Sequence, residues 1–212
     1  MPHIKSVSSK AFFPAVVFLI ALMVAPLQAK AGSCAQAKSY ISRVAGSVTK
    51  TLANTAQGSA ARERRFRQIF RSNMNISKLG KFALGRYASK LPASKKSTYL
   101  KLVENLVIKV FFGRMKDYRG ETFKIYDTRK GCRPKGSRGS EFIVSGEIKT
   151  ASGRRVARIS WWVVGSRIFD ISVEGVWLAQ QQRSAFGAVL RKNKGNFDAL
   201  FKNLRSRISR GR

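Results

Sequence analysis

Histidine is nearly missing from this chain. The one copy, His3, stands ahead of a long apolar run. General acid–base chemistry at neutral pH relies on histidine more than on any other side chain, and most zinc and copper sites use it too. Acids are also scarce, with ten Asp and Glu against 42 Lys and Arg. Asp170 and Glu174 share a face of one predicted strand, four residues apart. At ~3.3 Å per residue their Cα atoms would be roughly 13 Å apart, too wide for a glycosidase-type carboxylate pair. Their expected role is pairing with the surrounding arginines and lysines. Only two cysteines occur, Cys34 and Cys132, remote in sequence and too few for a metal site. No GxxxxGK[ST] phosphate loop and no GxSxG elbow is found. The sequence thus predicts no enzyme, no catalytic residue, no metal and no cofactor.

What is present begins with an export signal. Lys5 and Lys10 precede an apolar run over residues 11–25, and Ala29-Lys30-Ala31 offers small residues at the −3 and −1 positions of a cleavage site. An uncleaved anchor is the rival reading, but the run is shorter than the ~20 residues a bilayer needs, and Pro14 interrupts it. Residues 1–31 are therefore read as a cleavable signal peptide and the destination as the periplasm. Residues 32–208 are read as one domain and 209–212 as a basic tail. Loss of Lys5, Lys10 and Lys30 would lower the net charge from +32 to +29. Such an excess favours anionic partners such as a lipid surface, an acidic protein or nucleic acid, although a merely solvated basic face has the same composition. In an oxidising compartment Cys34 and Cys132 are candidates for a disulfide. Two free thiols, or lipidation at Cys34, are the alternatives; Ala31 stands where a lipidation signal usually has Leu.

Apolar spacing predicts helices over residues 35–56, 60–72, 76–88 and 94–116. In the first, Ile41, Val44, Val48 and Leu52 share a face; in the second, Phe66, Ile69 and Phe70 form an apolar side among five arginines. The fourth is apolar around so much of its circumference that it must be buried on two sides or line a cavity. From Tyr118 the period changes to that of strands. Runs over 121–128, 141–150, 154–164 and 167–177 predict an antiparallel meander of about four strands, and helices over 179–192 and 196–208 close the chain. Helices first and strands later argue for α+β, with helices on one face of the sheet. In the 159–164 strand, Trp161 and Val163 point to one face and Trp162 and Val164 to the other. Either helices or a second copy cover both faces, or one face holds an apolar ligand.

Three segments carry a family resemblance. These are residues 76–87, with Leu84-Gly85-Arg86 before an aromatic; the helix through Tyr99 and Phe112; and Asp170-Ile171-Ser172-Val173-Glu174-Gly175-Val176, continued by Arg183, Phe186, Gly195 and Leu200. In order and spacing, over roughly residues 60–207, the chain resembles the MlaC, or toluene-tolerance, family of periplasmic phospholipid-binding proteins. Trp177 departs from the pattern, which usually has a small residue there. The resemblance implies a curved antiparallel sheet facing helices, with lipid acyl chains in an apolar cavity between them. It also implies a cargo of phospholipid or a hopanoid-like lipid, and partners in an inner-membrane ABC-type transport complex and an outer-membrane lipoprotein complex. The residues expected to line the cavity are Leu102, Leu106, Val110 and Phe111 from the long helix. From the sheet they are Val144, Trp161, Val163 and Val173, with Trp177 at the mouth; plain core packing is the competing role for each. Basic charge would add affinity for an anionic membrane surface. The alternative function is an exported binder of nucleic acid or another anionic polymer. It is disfavoured because the aromatics sit at apolar periodic positions rather than on an exposed basic strand.

Overall fold

The computed structural model describes residues 32–115, 118–137 and 139–210. Four helices come first: α1 (Cys34–Ala53), α2 (Ser59–Asn73), α3 (Ile76–Leu84) and α4 (Ala93–Met115). Six strands follow: β1 (Thr122–Ile125), β2 (Cys132–Pro134), β3 (Glu141–Lys149), β4 (Arg155–Val164), β5 (Arg167–Val173) and β6 (Val176–Trp177). Helices α5 (Leu178–Lys192) and α6 (Phe197–Ser209) come last. The fold is α+β, as the change of period at Tyr118 predicts. The signal-peptide reading of residues 1–31 lies outside the described residues, as do the last two of the basic tail. Among the described residues no helix is long and apolar enough to cross a membrane.

Helix starts follow local chemistry. Ser33 and Gln36 form a reciprocal capping box at α1: Ser33 Oγ accepts from the Gln36 N–H at 3.2 Å, and Gln36 Oε1 accepts from the Ser33 N–H at 2.9 Å. Asn75 and Asn196 cap α3 and α6 through their side-chain oxygens.

The sheet is open and antiparallel, with order β1-β3-β4-β5-β6. Strand β2 pairs with β3 on the same edge as β1: Cys132 to Pro134 oppose Val144 to Phe142, and Thr122 to Ile125 oppose Lys149 to Gly146. Two strands more than predicted are present, and both are short. β2 holds three residues inside a loop of Lys, Arg and Gly, too few to show a period. β6 arises because the predicted 167–177 strand folds back at Glu174 and Gly175, whose φ values of 48° and 83° make a two-residue hairpin turn.

Helix α4 is the centre of the core. Tyr99, Val103, Leu106, Val107, Ile108 and Phe112 are each 6% exposed or less. The Tyr99 ring lies 6.3 Å from Phe186 of α5 and 6.4 Å from Phe201 of α6, and its hydroxyl donates to the Gly80 carbonyl at 2.9 Å. A Cβ at Gly80 would come within 2.8 Å of Leu100, so glycine lets α3 approach α4 closely. On another side Glu104 of α4 accepts from Arg71 of α2 at 2.7 Å, and Arg67 donates to Asn105 at 2.6 Å. The predicted burial on two sides is met by α6 and α3 on one hand and α2 on the other.

Asp170 and Glu174 do not share a role. Glu174 lies in the hairpin turn and accepts from the Arg158 N–H and side chain at 2.7 and 3.0 Å, which holds its carboxyl below the usual range. Asp170 is buried and makes no ion pair within the described residues. Its Oδ1 accepts from the N–H groups of Ala179 and Ile171 at 2.9 and 2.8 Å, so it receives the first turn of α5 from the neighbouring strand. Burial pushes its pKa up to about 6, against those two hydrogen bonds, which pull it down. Because the folded state keeps this proton to higher pH than the unfolded chain, its stabilising effect is full below about pH 4 and is lost as pH rises through about 6. We expect Asp170→Asn to gain about 2–3 kcal/mol relative to the parent on going from pH 4 to pH 7.5. Urea denaturation of both proteins at the two pH values measures this, and a difference that does not change with pH would contradict it.

Candidate functional site

The two faces of the β4–β5 region differ because two bulges rearrange them. At the first, Ile148 opposes Ala157 but Lys149 opposes Arg155, so Val156 has no partner. At the second, Trp162 opposes Asp170 but Val163 opposes Ile168, so Phe169 is the extra residue. Such bulges bend and twist strands. On one side Trp162 packs edge-on against Phe169 at 4.9 Å and near Trp177 at 6.2 Å, and its Nε1–H donates to Glu141 at 2.9 Å. Phe82 of α3 meets Phe169 at 5.7 Å, closing that side.

The other side does not close. Between it and helices α1 and α2 lies an apolar cavity of about 420 Å³. Its floor is buried: Leu52 of α1, Phe66 and Phe70 of α2, Met74, Trp161 of β4 and Ile168 of β5. Its rim is half-buried to exposed and includes Val44 and Val48 of α1, Ile159, Ile171 and Val173 of the sheet, and Val156. Phe111 is the contribution of α4. Polar lining is sparse. Asn73 is tied up by Tyr40, whose hydroxyl donates to its Oδ1 at 3.0 Å, and by the Ile69 carbonyl, which takes its amide N–H at 2.7 Å. Glu121, at the rim, accepts from the Arg119 N–H at 2.7 Å.

Local sequence builds this wall. Phe123 of β1 lies across β3 and meets Trp161 edge-on at 4.2 Å. It can do so because Gly146 stands between them; a Cβ there would come within 2.7 Å of the Phe123 ring and also strike the Lys124 carbonyl. Helix α1 is fixed at its start by the Cys34–Cys132 disulfide, with Cα atoms 5.7 Å apart, so of the three fates open to Cys34 the structure has the disulfide. The cavity's volume falls within the range of ligand pockets, ~300–1,000 Å³. Its lining offers dispersion contacts and exclusion of water. Among the described residues no group of three His, Cys, Asp or Glu is placed to hold a metal.

Of the residues expected to line a cavity, the structure brings together Phe111, Trp161 and Val173. Leu102, Leu106, Val144 and Val163 are buried core, and Val110 is half-buried against that core. Trp177 stands on the opposite side of the sheet, beside Trp162. The expectation drew four of its nine lining residues from α4, but the apolar faces of that helix are largely taken by α3 and α6. Sequence reasoning missed α1 and α2 as walls. Their stripes were visible, yet a stripe of ordinary width shows which face is apolar and not whether side chains or empty space stand opposite.

A second depression, about 400 Å³, lies outside the α1–α2 seam. It is lined by Arg43, Arg65 and Gln68 and shares Val44, Ile69 and Asn73 with the cavity wall.

Comparison with known proteins agrees with this architecture. No curated protein matches the chain. Among solved structures, a phospholipid-binding protein from Ralstonia solanacearum, determined in complex with a phospholipid, is similar at a TM-score of 0.70 and 16% identity. The match covers 82% of this chain and 98% of that one; at this identity it speaks for the fold. The family model described as MlaC protein matches residues 40–206, well over half of the sequence, and the chain belongs to the MlaC family.

Proposed function

We propose that this protein is a periplasmic lipid carrier. It holds the acyl chains of a phospholipid or related lipid in the cavity between α1, α2 and the sheet, and carries them between transport complexes of the inner and outer membranes. The observation that carries this reading is the cavity itself: an apolar space of about 420 Å³ with a buried floor and an accessible rim, in a fold whose solved neighbour was determined with a phospholipid bound. The energetic requirement matches. Each CH₂ taken from a bilayer into water costs ~0.8 kcal/mol, so a dozen cost on the order of 10 kcal/mol, and a soluble carrier must offset this with preformed apolar surface. Phe66, Phe70, Phe111, Trp161, Ile171 and Val173 are the proposed lipid contacts. The Cys34–Cys132 disulfide suits an oxidising compartment. The rival reading, an anionic-polymer binder, would draw on the net charge and on the basic surface of α2. Arg67 and Arg71 are engaged with Glu63, Asn105 and Glu104, which weakens it.

Transfer of a labelled phospholipid between donor and acceptor vesicles tests the carrier role. Transfer should rise in proportion to protein concentration. A rate equal to the protein-free control, with labelled lipid never recovered on the protein, would refute it.

A further inference from the structure

We propose that the β3–β4 hairpin end of the sheet is a docking surface for an anionic lipid bilayer, which presents the cavity rim to the membrane. The inference rests on the carrier reading and adds to it an orientation. Val156 and Val176 are the exposed large apolar side chains among the described residues, 53% and 58% accessible. Both lie at one end of the sheet. Val156 begins β4 directly after the hairpin turn and lines the cavity. Val176 opposes Val173, and Val173 opposes Ile159, so the three share a face, and Val173 and Ile159 also line the cavity. An exposed apolar pair continuous with an apolar cavity gives an acyl chain a path that never crosses water.

Charge selects the partner. At this end Lys149 is paired with Glu147 and Arg158 with Glu174, while Arg154 and Arg155 have no salt-bridge partner among the described residues. Cations flanking a small apolar tip suit an interface of anionic head groups around acyl chains. A second copy of this chain would bring the same cations together, so self-association through this tip is disfavoured by charge. The bulge at Val156 explains why the tip is built this way. In a regular strand, strict alternation would turn Val156 away from the face of Ala157.

The test places an environment-sensitive dye at Ser152→Cys, in the β3–β4 turn, or at Ser166→Cys, in the β4–β5 turn at the opposite end of the sheet. The native disulfide is kept. Vesicles of phosphatidylglycerol and phosphatidylcholine (3:7) should shift the dye at 152 to the blue and leave that at 166 unchanged; pure phosphatidylcholine should give a much weaker response. Val156→Ser/Val176→Ser should weaken vesicle binding by about tenfold per valine. Arg154→Gln/Arg155→Gln should weaken it by about fivefold per arginine. Equal shifts at both positions, binding unaffected by the valine pair, or a shift that follows protein concentration without vesicles would overturn the proposal. Lipid recovered on the protein is measured in the same samples. Uptake without a shift at 152 sinks the docking surface and spares the carrier; a shift at 152 with no lipid on the protein supports the surface and sinks the carrier.

Discussion

Replacing Val48 and Val173 together by tryptophan should leave a folded protein that has lost phospholipid uptake by about two orders of magnitude. Both side chains are half-buried on the cavity rim, one on α1 and one on β5, so larger rings there have empty space to enter and little packed core to displace. If the two indoles take the room of about four methylenes, the lost transfer energy is ~3 kcal/mol, or roughly 200-fold in affinity. Equilibrium binding of a fluorescent phospholipid measures the effect, with urea midpoints as the control for folding. Overpacking of the walls would appear as a fall in midpoint. A variant that keeps the parent midpoint and binds lipid within about twofold of the parent would show that lipid does not occupy this cavity.

Loss of the disulfide should destabilise the protein by several kcal/mol. Cys34 and Cys132 are 98 residues apart in sequence. In the chain-entropy model a loop of that size stabilises by about 4–5 kcal/mol, and removal of native disulfides typically costs about 2–5 kcal/mol. For a domain of this size the melting temperature should fall by roughly 10 °C. The structural consequence is local as well. Cys34 is the first residue of α1 and Cys132 the first of β2, so the bond pins the start of a cavity wall to the edge of the sheet. Lys38 adds one hydrogen bond to the Tyr126 carbonyl at 3.3 Å, too little to replace it. Cys34→Ser/Cys132→Ser should therefore also release lipid faster. Thermal melts of the parent and the variant, each with and without reductant, check the account. A shift under about 2 °C would mean that packing alone holds α1.

Much of the fold is legible in the sequence. The stripe Ile41-Val44-Val48-Leu52 marks α1, and the paired apolar positions of α4 mark a helix buried on two sides; both exist where periodicity puts them. Short elements were not legible, since three residues of β2 and two of β6 carry no measurable period. The cavity was legible as a need rather than as a place. Trp161 and Trp162 mark apolar surface on both sides of β4, and the two sides differ: Trp162 packs in an aromatic cluster while Trp161 floors the cavity. Which helices would face the open side depends on α4 being occupied by α3 and α6, a tertiary fact no local pattern carries. Asp170 was misread for a similar reason. As a carboxylate in a cationic chain it suggests an ion pair, but it stands opposite Trp162 on the face of β5 beside α5 and accepts from the Ala179 N–H instead.

The most direct measurement is the lipid content of the protein itself. The protein, purified from cells without added lipid or detergent, is denatured, extracted into organic solvent and analysed by mass spectrometry against a protein standard. The carrier account predicts phospholipid or a related acyl lipid at close to stoichiometric amount, sharply reduced in the Val48→Trp/Val173→Trp variant. An extract with no stoichiometric lipid, from a protein that also takes none from liposomes, would contradict it.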